Sequence, residues 1–126
     1  MAEKNGKILV CDDSILARHQ LVDIIKSYGD FEVMEAENGE RAVECYKFFK
    51  PDIVFLDIVM PKKDGITATK EIIEIDPDAK VVMASSIGNK KNLKEALIAG
   101  AKEFVQKPID FSQVTKIIEA LLKGGN

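Results

Sequence analysis

Nowhere does this chain approach the ~20 consecutive apolar residues that a membrane span requires. Its start, Met-Ala-Glu-Lys-Asn-Gly-Lys, lacks the apolar stretch of a secretory signal, so a cytoplasmic location is expected. Cysteine is scarce. Cys11 and Cys45 fit neither a disulfide framework nor a metal site, and both read as packing residues. Histidine occurs once, at His19 on a helix, where a surface position is a simpler reading than a metal ligand. Positive charge is not in excess. Eighteen Lys and Arg stand against twenty-one Asp and Glu, so nothing draws the chain to nucleic acid or to an anionic membrane. Repeats and low-complexity segments are missing. Residues 1–6 and 124–126 read as frayed ends of a single domain spanning 1–126.

What remains is an ordinary apolar content, 46%, enough for a packed core. Strand and helix signals alternate along it. A strand at Lys7–Cys11 precedes a helix from about Ser14 to Tyr28, with Ala17, Leu21, Ile24 and Tyr28 as its stripe and Gly29 as its stop. A strand at Phe31–Ala36 leads through Asn38-Gly39 to a helix with stripe Ala42, Tyr46 and Phe49, ended by Pro51. Ile53–Leu56 is the third strand. After the loop from Met60 to Gly65, Ala68, Ile72 and Ile75 mark a third helix, closed by Asp76-Pro77. Lys80–Ala84 is a strand; Leu93, Ala96 and Leu97 mark a helix with Gly100 past its end; Glu103–Gln106 is the last strand. Asp110 and Gln113 have capping-box spacing, and Val114, Ile117, Ile118, Leu121 and Leu122 stripe the final helix. Five such units are too few for an eightfold barrel. They predict a doubly wound α/β sandwich, a five-stranded parallel sheet with helices on both faces.

The chemistry stands at the strand ends. The apolar run Ile8–Cys11 enters Asp12 and Asp13, and Ile53–Leu56 enters Asp57. Buried parallel strands read as continuous apolar runs, and ligands bind beyond their carboxyl ends at the topological switch point. If the two strands are neighbours, three carboxylates converge. At about 4 Å and an effective dielectric near 20, each like-charge pair costs roughly 4 kcal/mol. A cation is therefore required, and Mg²⁺ suits one or two carboxylates plus water and phosphate oxygens. The other strand ends bring Ser85-Ser86 and Lys107-Pro108. This set suits phosphoryl chemistry: carboxylates for a metal, one carboxylate as nucleophile, a hydroxyl and an ammonium for the oxygens of the transferring group.

Asp12-Asp13, Asp57, Met60-Pro61, Gly65, Ser85 and Lys107-Pro108, in this order on these elements, resemble the receiver domain of two-component response regulators. The similarity covers nearly the whole chain and is closest in kind to stand-alone chemotaxis receivers. The resemblance implies the flavodoxin-like strand order 2-1-3-4-5. It implies that Asp57 accepts a phosphoryl group from a histidine kinase or a phosphotransfer protein. It makes Asp12, Asp13, Asp57 and the Val59 carbonyl a Mg²⁺ site. Ser85 and Lys107 become the pair that senses the phosphoryl group, and Phe104 the ring that follows Ser85. Arg18 also matches a familiar position on the first helix. Output is expected through protein binding at the face of the fourth helix, fifth strand and fifth helix. Phe104 stands where a Tyr is frequent, Ser86 where Ala is frequent and Ile109 where Phe is frequent. Val59 and Ile87 flank the site where polar residues are common, which affects how water reaches an acyl phosphate.

Simpler readings compete residue by residue. Asp12 and Asp13 could cap the first helix, which accounts for one acid but not for both beside Asp57. Ser85 and Ser86 could cap the fourth helix. Phe104 could be core alone. Lys90, Lys91 and Lys94 read as a solvated helix face that could also attract an acidic partner. The main alternative function is a Mg²⁺-dependent phosphohydrolase with an aspartyl nucleophile. That class expects Asp-x-Asp after a strand, and neither Asp57-Ile58-Val59 nor Asp12-Asp13-Ser14 supplies it. A flavodoxin-like cofactor binder would need a Ser/Thr/Gly-rich phosphate loop where Asp12-Asp13 stand. A receiver that binds partners without phosphorylation would not need the complete pocket.

Overall fold

The computed structural model describes residues 5–86 and 90–123. Ile87, residues 1–4 and residues 124–126 lie outside the described residues. The chain alternates β1 (Gly6–Cys11), α1 (Ile15–Tyr28), β2 (Phe31–Ala36), α2 (Gly39–Phe49), β3 (Ile53–Asp57), α3 (Gly65–Ile75), β4 (Val81–Ser85), α4 (Lys90–Ala99), β5 (Glu103–Gln106) and α5 (Phe111–Lys123). All strand pairs are parallel, in the order β2-β1-β3-β4-β5. This is the doubly wound, flavodoxin-like sheet expected from the sequence. Gly6 pairs with Phe31 and the Asp30 amide donates to Asn5 Oδ1, so these two residues belong to the fold rather than to a frayed start.

Alternation along the strands sorts the core into two halves. Ile8, Val10, Ile53, Phe55, Val82 and Val105 pack with Leu21 and Ile25 of α1 and Val114, Ile117 and Ile118 of α5. Leu9, Cys11, Val54, Leu56 and Met83 pack on the other face with α2, α3 and α4. Each such aliphatic side chain, fully buried, stabilises by roughly 1.5–3 kcal/mol.

Three helical stripes differ from expectation. Tyr28 is exposed and stacks on Phe31 with ring centroids 6.3 Å apart, while Ile25, one turn earlier, is buried instead. On α3, Ile75 is exposed and Thr69 is buried, its hydroxyl satisfied by donating to Gly65 O at 2.8 Å. On α4, Leu93 and Leu97 are exposed while Ala96 and Ala99 face inward, so small residues set that contact. Helix α1 ends at Gly29 in an extended conformation, not in the left-handed one expected of a glycine stop.

The loop between β3 and α3 is held tightly. The Lys63 amide donates to Pro61 O at 2.7 Å around Lys62, whose φ is 69°, which makes a γ-turn of the strained, left-handed sort. Gly65 N donates to Ile58 O at 2.8 Å across the loop. A Cβ placed on Gly39, the first residue of α2, would lie 1.9 Å from Lys63 O. Only a residue without a side chain allows that approach.

Candidate functional site

Register brings the acids together. Cys11 is the partner of Leu56, so the residues that follow, Asp12 and Asp57, emerge side by side at the carboxyl ends of β1 and β3. This is where the strand order reverses, since the chain runs from β1 outward to β2 and returns to β3 on the other side. One carboxylate oxygen from each of Asp12, Asp13 and Asp57 lies within 4.8 Å of the others. Asp12 and Asp57 are buried and Asp13 is exposed. Lys107, just past β5, donates to Asp12 Oδ2 at 2.6 Å and lies 3.3 Å from Asp57 Oδ1.

Asp12 is tethered at every polar atom. Its amide donates to Ala36 O at 3.1 Å, its Oδ1 accepts from Ser14 N at 2.9 Å, and its carbonyl accepts from Arg18 Nη1 at 2.6 Å. Ser14, not an aspartate, is the N-cap of α1, its side chain accepting from the Ala17 amide at 3.1 Å. The capping explanation for the acid pair therefore fails.

The electrostatics register the crowding. Burial, then the charge of Asp12, raise the pKa of Asp57 to about 6, against the pull of Lys107. Burial works against the Lys107 ammonium, yet the bond to Asp12 and the fields of Asp57 and Asp12 leave it more basic than usual. Burial holds Cys11 and Cys45 as thiols, in keeping with packing roles. The donor set is hard, oxygen-only and net negative, with Asp13 facing solvent. It fits a small divalent cation such as Mg²⁺ far better than a soft metal.

The other expected residues lie on β4, β5, α4 and the β3–α3 loop. Ser85 ends β4, is buried, and its carbonyl accepts from Lys107 N at 2.8 Å. Phe104 sits on β5 opposite Met83, half-buried against the α2–α3–α4 half of the core. Val59 lies in the β3–α3 loop with its side chain 63% exposed. Lys91, Lys94, Leu93 and Leu97 are exposed on α4. Sequence reasoning missed Glu35, which holds Arg18 Nε at 3.0 Å, and the contact of Gly39 with Lys63. The only signal for Arg18 was its place in a family pattern, and no spacing rule links it to Glu35.

Fold and site together define a small α/β domain suited to phosphoryl chemistry at a strand-end aspartate. Comparison with known proteins makes the class specific: the family model for the response regulator receiver domain matches residues 8–119, and the chain belongs to that family. It is 46% identical to the chemotaxis protein CheY of Thermotoga maritima over 117 residues, covering 93% of this chain and 95% of the relative. It is 44% identical to the chemotaxis protein CheY of Bacillus subtilis over 117 residues, with 93% and 95% covered. Among solved structures, the CheX–CheY–BeF3–Mg²⁺ complex of Borrelia burgdorferi matches with a TM-score of 0.85 and 41% identity, covering 91% of this chain and 87% of that one. The NarL receiver domain of Mycobacterium tuberculosis matches with a TM-score of 0.90 and 27% identity, covering 97% and 99%. No described helix is long and apolar enough to cross a membrane.

Proposed function

We propose that this receiver is a chemotaxis phosphoswitch in which Asp57 is the acceptor. The observation that carries the reading is the place of Asp57: a buried carboxylate at the switch point, 3.3 Å from the Lys107 ammonium and grouped with Asp12 and Asp13. With a pKa near 6, Asp57 is mostly ionised at neutral pH and able to act as nucleophile. One of its oxygens bonds to phosphorus as the bond from the donor's imidazole nitrogen breaks, which leaves an acyl phosphate. The donor is a histidine kinase or a phosphotransfer protein.

Asp12, Asp13, Asp57 and the Val59 carbonyl would hold Mg²⁺, which when bound offsets the charge of the phosphoryl oxygens. Asp12 and Asp13 supply the fixed negative charge for that ion. Lys107 supplies a movable ammonium for an equatorial oxygen. Ser85 is the hydroxyl drawn toward the phosphoryl group and Phe104 the ring that follows, which biases two arrangements of the α4–β5–α5 face. Output is binding of a protein to that face, where Leu93, Leu97, Lys91 and Lys94 are exposed on α4 and Phe111 is exposed on α5. A cytoplasmic location suits this role.

The aspartyl phosphohydrolase alternative is not favoured, since the family and its relatives are receivers. The test is intact mass after incubation with acetyl phosphate and Mg²⁺. Wild type should gain one phosphoryl group, and Asp57→Asn or wild type in EDTA should gain none. Equal modification of wild type and Asp57→Asn would sink the assignment.

A further inference from the structure

Lys107 reaches the acidic loop through the carboxylates, whereas Arg18 reaches it through the backbone. It projects from the first turns of α1, and its side chain is only 13% exposed. Its Nη1 donates to the Asp12 backbone carbonyl at 2.6 Å, a short, charge-assisted bond to the residue that begins the acid pair. Its Nε donates to Glu35 Oε1 at 3.0 Å, and Glu35 belongs to β2, which pairs with β1 up to Cys11 and Ala36. The Asp12 amide in turn donates to Ala36 O. Three segments thus close a ring of bonds around one residue, Asp12: the β1 end, the first turns of α1 and the β2 end.

The three carboxylates repel one another within 4.8 Å, and the guanidinium ties down the backbone of the residue that begins the acid pair. The fork geometry matters, since one planar group bonds both the carbonyl and Glu35; an ammonium presents a single point of charge and cannot span both. We propose that Arg18, braced by Glu35, is a positioning residue that holds Asp12 and Asp13 in the arrangement able to take a divalent cation. It touches neither the cation nor the phosphoryl group. This inference rests on the Mg²⁺ reading given above.

The experiment follows the melting temperature of the unphosphorylated protein across a Mg²⁺ titration, so no turnover is involved. In wild type the melting temperature should start to rise as Mg²⁺ passes its dissociation constant and climb logarithmically beyond it, and fitting that dependence gives an apparent Mg²⁺ constant. Arg18→Lys and Arg18→Met should keep a cooperative melt in EDTA but need about tenfold more Mg²⁺ for the same rise above their own EDTA value, the scale of lost groups behind metal ligands. Glu35→Gln retains an acceptor for Nε and should stay near wild type; Glu35→Ala should fall between. A merely structural role would lower the EDTA melting temperature and leave the Mg²⁺ constant alone. If Arg18→Lys shows the wild-type rise at the wild-type Mg²⁺ concentration, the proposal is overturned. Should Arg18→Met fail to fold, Arg18→Lys and Glu35→Ala decide the matter. A wild type whose melting temperature does not rise with Mg²⁺ would overturn the metal-site reading itself, and this proposal with it, a result distinct from equal rises in all variants.

Discussion

Lys107 is bonded more closely to Asp12 than to Asp57: its Nζ lies 2.6 Å from the first and 3.3 Å from the second. In the metal-free protein this ammonium is the counter-charge of the cluster as a whole. Its two proposed duties, neutralising the resting site and meeting a phosphoryl oxygen, compete for one group.

Replacing Lys107 with Met should therefore expose the repulsion. We expect Lys107→Met to lose about 1–2 kcal/mol in EDTA, less than a fully buried pair would lose because the site is open on one side. Saturating Mg²⁺ should restore most of it. Urea melts with and without Mg²⁺ check this, and a variant as stable as wild type in EDTA contradicts it.

Asp57 carries a pH signature of definite sign. Its folded pKa, about 6, lies above its ordinary value of 3.8. Between these values the folded state holds more protons than the unfolded state, so wild-type stability falls as pH rises through that window. Asp57→Asn does not titrate there. In EDTA the two proteins should differ least near pH 4, and the variant should become more stable by about 1 kcal/mol by pH 7, after allowance for solvent screening. Denaturant melts at a series of pH values measure it. A gap that is constant or shrinks with pH would refute the crowding argument.

The γ-turn at Lys62 stores backbone strain, since a side-chain-bearing residue at φ 69° is held about 1–2 kcal/mol above a glycine there. Glycine's greater freedom in the unfolded chain offsets part of that. Lys62→Gly should then gain about 0.5–1 kcal/mol. Lys50, the left-handed cap of α2 at φ 51°, is a control at another loop, and Lys50→Gly should gain a similar amount. Thermal melts of both decide, and a loss of stability in Lys62→Gly would show that its side chain outweighs the strain.

Val59 exposes an aliphatic surface at the rim of the site and offers no hydrogen bond to an attacking water. Val59→Asn should speed loss of phosphate from the acyl phosphate. Decay of the phosphorylated form after donor removal, followed by phosphate-affinity gel, tests this. An unchanged or longer half-life would mean that water access is not limited at this position.

Much of this was legible beforehand. Apolar runs ending in acids gave away β1 and β3, and their register alone puts Asp12 beside Asp57. The order of strands was carried by the family pattern, because alternation of strands and helices does not say which strand neighbours which. Stripe spacing failed at Tyr28, Ile75, Leu93 and Leu97, which are exposed at the ends of α1 and α3 and on α4, where Ala96 and Ala99 are the buried residues. The link from Arg18 to Glu35 joins residues 17 positions apart on different elements. Neither period nor capping rule reaches across such a gap, and the same holds for Gly39 against Lys63.

The Gly39 contact bears on how this protein could be rebuilt. Where a side chain would begin on α2, the Lys63 carbonyl already fills the space. The segment from Met60 to Gly65 and the opening of α2 are therefore sterically coupled. A loop grafted from a relative will seat only on a scaffold with glycine at position 39, and randomising that position alone should leave almost nothing but glycine among the survivors.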